Sequence, residues 1–228
     1  MVDVESGGGV TRIFLNRPEK VNALNSEVLQ QLQAALLHIS EFPDLRVVVL
    51  GGRGKAFCGG ADVQELSALN AVSAGGFVQK IHAVCEAIRK LPVPVLARLH
   101  GAVIGAGLEI AAACDLRIAA EGTRFAMPEV RLGIPSVVEA ALLPRLMGSG
   151  RAAWLVLTGE AIDARRAYEW GLVEQIGGDD AVEQVIQTLI GNDAKALRMQ
   201  KQLLQLWEEA PLATSIEKSI GLFGESHR

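Results

Sequence analysis

The segment Leu99–Asp115, LHGAVIGAGLEIAAACD, constrains the fold more than any other in the chain. It begins at the end of an apolar run, passes through Gly101, Gly105 and Gly107, and continues as an alanine-rich block with a single carboxylate, Glu109. Glycine admits close backbone approach and unusual dihedrals, and alanine favours helix, so the order predicts strand, tight turn and helix. The first amides of such a helix have no intrahelical acceptor. They form an anion or oxyanion site wherever a ligand reaches them. Glu109 lies three residues beyond Ala106 and shares the helical face of that first turn. Two readings stand here: a carboxylate set beside an anion-stabilising turn, or an interior helix whose one charge is turned to solvent or paired.

At 228 residues the chain can bury one substantial core. A formal net charge of -4 and no basic tract argue against nucleic acid as the main partner, while a nucleotide-bearing metabolite needs only a few local cations. The start, MVDVESGGG, has neither the basic nor the apolar part of a signal peptide. No membrane span is expected, because the apolar run near 91–113 is interrupted by Arg98, His100 and Glu109. Cys58, Cys85 and Cys114 are widely spaced, which suits a reducing compartment better than disulfides or zinc and points to a cytoplasmic location.

Residues 2–6 and 10–16 read as strands around the Gly7–Gly9 turn. Ser26 is an expected N-cap for a helix to about Ser40, with Val28, Leu29, Leu32, Leu36 and Ile39 at helical spacing. RVVVL at 46–50 suits a strand covered on both faces. The glycine-rich stretch Gly51–Asp62 has neither dinucleotide-fingerprint nor P-loop spacing. A short helix after Asp62, a mobile loop at 67–76 and an amphipathic helix at 77–91 follow, then a strand at 95–99. LRIAAEGTRFA reads as two short strands around Glu121–Gly122. Beyond Pro128 helices are expected at 138–146, 151–158, 164–170, 181–190, 194–206 and 213–220, with one strand at 172–176. Helices alternating with buried strands indicate an α/β core, taken as 1–176, followed by a helical region, 177–228, packed on it or on a neighbouring subunit.

Five segments, in order, resemble the crotonase superfamily, the enoyl-CoA hydratase/isomerase family: NRPEKVNALN at 16–25, GRGKAFCGGAD at 52–62, HGAVIGAGLEIAAACDLRIAA at 100–120, FAMPEVRLGIP at 125–135 and LTGEAIDARRAYEWGLVEQI at 157–176. The resemblance implies a crotonase-like ββα spiral core with a C-terminal helical trimerisation region. It also implies an acyl-CoA thioester substrate, no cofactor beyond the CoA carried by that substrate, no metal, and a trimer or dimer of trimers. It marks Gly59 and Ala106 as the positions whose amides form an oxyanion hole, a device that stabilises developing enolate charge. Gly59 also reads simply as a turn glycine. Glu109 and Glu129 resemble the paired glutamates that flank one water. Two carboxylates there can orient and deprotonate the water at the β-carbon while protonating the α-carbon. For Glu129 the alternative is a carboxylate that starts a helix after Pro128. Phe57, Gly60, Ala61 and Asp62 are implied substrate contacts. Lys20, Lys55 and Arg17 are candidates for CoA phosphates, or else solvated loop charges, and Asp62 and Asp115 also read as caps.

Two departures stand out. After Glu129 the sequence runs RLGIPSVVEAALLPRLMG where hydratases carry a glycine-rich turn; it places bulky Val137, Val138 and Leu142 there and adds a third carboxylate, Glu139. Glu139 reads preferentially as a helix-surface residue, alternatively as an extra acid that redirects the chemistry. Family members also usually continue past Gly221 as further helices, so this chain is expected to be shortened at its C-terminus. His38 and His82 read as surface or boundary residues, and His100 as a strand-end residue with a satisfied ring nitrogen. The expected activity is hydration of a trans-2-enoyl-CoA. The alternatives are double-bond isomerisation or other crotonase chemistry with Glu129 or Glu139 as base, and a non-catalytic interaction protein.

Overall fold

A computed structural model describes residues 1–226. The chain opens with β1 (Val2–Gly7) and β2 (Val10–Leu15), antiparallel to each other. Asn25, one residue earlier than expected, caps α1 (Ser26–Ser40) by accepting from the Val28 amide. Next come β3 (Val47–Gly52), α2 (Val63–Ala68), α3 (Ser73–Lys90), β4 (Val95–Leu99), β5 (Ala102–Ile104), α4 (Ala106–Ala113), β6 (Leu116–Ala119) and β7 (Arg124–Ala126). Two 3-10 turns, Glu129–Leu132 and Val138–Leu142, lead to α5 (Leu143–Met147), α6 (Ser149–Thr158), β8 (Ile162–Asp163), α7 (Ala164–Glu169) and β9 (Gln175–Ile176). The helices α8 (Asp179–Gly191), α9 (Ala194–Glu209) and α10 (Leu212–Ser226) complete the described chain.

The main sheet has six strands in the order β1-β2-β3-β4-β6-β9, parallel from β2 onward. Every residue of β3 is buried, as its unbroken apolar run requires, and its side chains alternate between two packing layers. Val48 and Leu50 join the large core with α1, α3 and α4, whereas Val47 and Val49 meet Val182 and Ile186 of α8. The sheet is thus covered on both faces.

Two expectations at this level are corrected. The stretch 67–76 is mostly ordered as the end of α2 and the start of α3, with Asn70 folding its side chain onto the amides of Val72 and Ser73 (2.9 and 3.0 Å). The two strands of LRIAAEGTRFA form as expected and go to different sheets: β6 joins the main sheet, while β7 joins a second sheet with β5 and β8. The strand at 172–176 shrinks to its last two residues, with Leu172 and Val173 buried ahead of it.

Candidate active site

Two glycine-rich segments meet at the start of α4. The loop at 57–60 runs alongside β5 through the pairing of Cys58 with Val103, and Gly107 packs so closely that a Cβ there would lie 2.7 Å from the Cys58 Cβ. Gly105 holds a φ of 51° just before α4, and a Cβ on it would collide with Oε1 of Glu129. That contact places the Glu129 carboxylate at the N-terminal end of α4, beside Ala106. The other Glu129 oxygen, Oε2, accepts a 3.0 Å hydrogen bond from Ser136.

Glu109 sits one turn into α4 and is 4 % exposed. Burial is the main cause of a pKa pushed up to about 8, the Glu129 charge adds to it, the Ala140 amide bound to the carboxylate opposes it, and Glu139 contributes further repulsion. Glu109 therefore binds its proton more tightly than an ordinary carboxyl, and the Glu129 charge is near enough to add to that hold. A pair of this kind, at a helix end with amides lacking acceptors, can take a proton from one reacting atom and give one to another while an anionic oxygen is held nearby.

Other expected site residues fall differently. The Ala106 amide is the first of α4, at the open helix end. The Gly59 amide instead donates to the Val21 carbonyl at 2.8 Å, because Val21 takes a left-handed φ of 55° that turns its carbonyl onto the loop. Phe57 is fully buried in the core and anchors the loop rather than offering its ring to a ligand. Gly60 accepts from the Leu24 amide at 2.8 Å and Ala61 bridges Leu24, so this part of the loop is tied to the segment before α1. Asp62 caps α2 through the Gln64 amide and pairs with Arg17 at 3.1 Å. Burial alone would raise its pKa, but Arg17 and the cap amides hold it below the ordinary value. Arg17 also donates to Ala23 O at 2.7 Å; both side chains are spent on structure rather than on a phosphate. Lys20 and Lys55 are exposed on adjacent loops, Gly54 packing against Pro18.

Glu139 is not on the surface. It is 5 % exposed, and its Oε1 lies 2.7 Å from Nδ1 of His82. The turn at 138–142 packs on α4 and so carries this residue inward. Sequence reasoning did not find Asn22, whose Oδ1 accepts from the Arg17 amide and whose Nδ2 donates to Arg53 O and Ala56 O, clamping the 17–22 and 53–56 loops together. Its one signal is that asparagine tolerates left-handed backbone, here φ 54°. Ser136 carried no signal.

The enoyl-CoA hydratase/isomerase family model matches residues 5–227. The chain belongs to this family. It is similar to the short-chain-enoyl-CoA hydratase of Clostridium acetobutylicum, 32 % identical over 98 % of this chain and 88 % of that one. It is also 32 % identical to the crotonyl-CoA hydratase of Syntrophomonas wolfei, over 92 % of this chain and 82 % of the relative. The crystal structure of enoyl-CoA hydratase from Bacillus anthracis superposes with a TM-score of 0.93 at 33 % identity, covering 98 % of this chain and 89 % of that one. The crotonase-like α/β fold read from the five sequence segments is the fold observed.

Proposed function

We propose that this protein hydrates short trans-2-enoyl-CoA thioesters, and the observation that carries the reading is the coupling of buried Glu109 to Glu129 at the open end of α4. In this reading the thioester oxygen lies on the Ala106 amide, with the Gly59 amide joining when its bond to Val21 opens. One water sits between the carboxylates. Glu109 takes its proton as the oxygen bonds to the β-carbon, charge gathers on the thioester oxygen, and Glu129 delivers a proton to the α-carbon. CoA enters as part of the substrate, and the reaction uses no separate cofactor or metal. The exposed loop cations Lys20 and Lys55 are the candidates for its phosphates.

The test is crotonyl-CoA hydration by Glu109→Gln. Losing the acid–base partner lowers kcat by about 10²–10⁴-fold with KM little changed; a variant that hydrates as fast as the parent refutes the assignment. A double-bond shift is the second reading, favoured by a further buried carboxylate, Glu139, beside α4. In that case Glu109→Gln retains isomerisation of a 3-enoyl-CoA.

Assembly as a trimer or dimer of trimers belongs to the same reading. The apolar helices nearer the core are already covered: Leu155 is buried, and Trp154 and Trp170 pack edge to face with Arg166 stacked over both indoles. Support comes from α9 and α10, where Leu204, Trp207, Leu212, Ile216 and Ile220 are exposed. A monomeric mass by sedimentation at micromolar protein overturns it.

A further inference from the structure

Glu129 belongs to a loop that closes on it twice. After its 3-10 turn the left-handed Gly133, at a φ of 76°, reverses the chain, and the Ile134 amide returns to the Glu129 carbonyl at 3.2 Å. Pro135 then fixes its own φ and limits the directions the next residue can take. Ser136 comes back to the Glu129 side chain and donates from Oγ to Oε2 at 3.0 Å. The serine is half-buried, and its hydroxyl makes no other hydrogen bond among the described residues. Two residues on, Val138 holds a φ of 40°, which β-branched residues rarely take. Such backbone persists only where the surrounding structure dictates the path of the chain.

The two oxygens of Glu129 are thereby made unequal. Oε2 is turned to the serine, while Oε1 lies against Gly105, in the space a Cβ would take at the N-terminal end of α4. A protonated carboxyl has one hydroxyl oxygen and one carbonyl-type oxygen, and the latter is the better acceptor. With the serine donating to Oε2, the hydroxyl is Oε1. When the Oε1–H bond breaks and the α-carbon gains the proton, the electron pair stays on the carboxylate. The hydrogen bond from Ser136 then becomes charge-assisted and strengthens as the proton leaves.

We propose that Ser136 is a positioning residue that fixes Glu129 so that Oε1, and not Oε2, carries the proton exchanged with the α-carbon of the substrate. Ser136 takes no part in the bonds made or broken and acts through Glu129 alone. Its hold on Oε2 does two things. It keeps the carboxyl plane from turning, so that the proton-bearing oxygen stays at the open end of α4, and it stabilises the carboxylate that proton transfer leaves behind. The effect of Ser136 on the α-carbon rests on the hydratase reading, whereas its hydrogen bond to Glu129 stands without it.

The experiment follows two reactions in the parent, Ser136→Ala, Ser136→Thr and Glu129→Gln. One is hydration of crotonyl-CoA. The other is loss of α-deuterium from deuterated butyryl-CoA, a saturated thioester that can exchange an α-hydrogen but has no double bond to take up water. In Ser136→Ala both kcat for hydration and the exchange rate fall by about 10- to 100-fold, the range of one hydrogen bond to a charged group, with KM little changed. Ser136→Thr keeps the hydroxyl and restores both reactions. Added to Glu129→Gln, Ser136→Ala has no further effect on hydration, because its effect passes through that carboxylate. A Ser136→Ala variant that matches the parent in both reactions overturns the proposal. So does one whose loss is the same with Glu129 or Gln at that position, since a residue that only shapes the loop would act in both. A parent that exchanges no α-hydrogen overturns it as well. A parent that exchanges the α-hydrogen yet does not hydrate crotonyl-CoA refutes the hydratase reading alone, and the exchange rates then decide the role of Ser136.

Discussion

A carboxylate placed by a helix in an alanine-rich interior has its proton affinity set by what surrounds it, and Glu109 shows this in two measurable ways. Burial first, and then the neighbouring Glu129 charge, raise its pKa to about 8. The value of kcat/KM for crotonyl-CoA is therefore expected to rise as pH rises towards about 8 and to level off above it, because Glu109 takes the water's proton only when ionised. A profile that falls through that range contradicts Glu109 as the base. Stability follows the same group. Its folded-state pKa lies above its ordinary value, so the stabilisation from the bound proton is complete below that ordinary value and is lost as pH rises through about 8. Glu109→Gln cannot ionise, and its thermal midpoint relative to the parent should be higher on the alkaline side of that range than at acidic pH.

At the scale of elements, the site depends on how tightly β5, the loop at 57–60 and the start of α4 approach one another. Gly105 is the hinge of that approach, with its φ of 51° and the Glu129 carboxylate lying where a side chain would go. Gly105→Ala is expected to push Glu129 out of place and lower kcat by about 10²-fold, the scale of a 1 Å misplacement. It also costs about 1 kcal/mol or more of stability for the disfavoured backbone. Paired kinetics and thermal melts separate the two effects; parental kcat in a destabilised variant shows that Glu129 did not need the glycine.

At the scale of the molecule, α9 is tied to the far end of α4 by one buried cation. Lys201 is 4 % exposed and pairs with Asp115, which follows α4 and whose Oδ2 also accepts from the Val95 amide at 2.7 Å at the start of β4. Removing one partner of a buried pair leaves the other uncompensated, so Lys201→Ala is expected to cost about 3 kcal/mol. Hydrogen exchange should then rise in α9 and α10 before it rises in the sheet. Equal stability of variant and parent shows that Asp115 is satisfied without it.

Local pattern carried much of the fold. The apolar run of β3, the helical spacing of α1 and α3, and the Gly-to-Ala transition at α4 each name an element because each satisfies its own backbone hydrogen bonds nearby. The same locality made Glu109 and Ala106 legible, one turn apart on one helix. What joins distant segments was decided only by tertiary structure. Nothing adjacent to Glu139 says that it turns inward to meet His82 and leave Oε2 unpaired, and its place in a helical pattern pointed to the surface. Likewise Arg17 reads as a free loop cation until the chain brings Asp62 against it, and Gly59 as an open amide until Val21 supplies an acceptor. Periodicity reports which side of an element is apolar. The partner of a polar group depends on contacts closed across tens of residues, and those exist only in the folded chain.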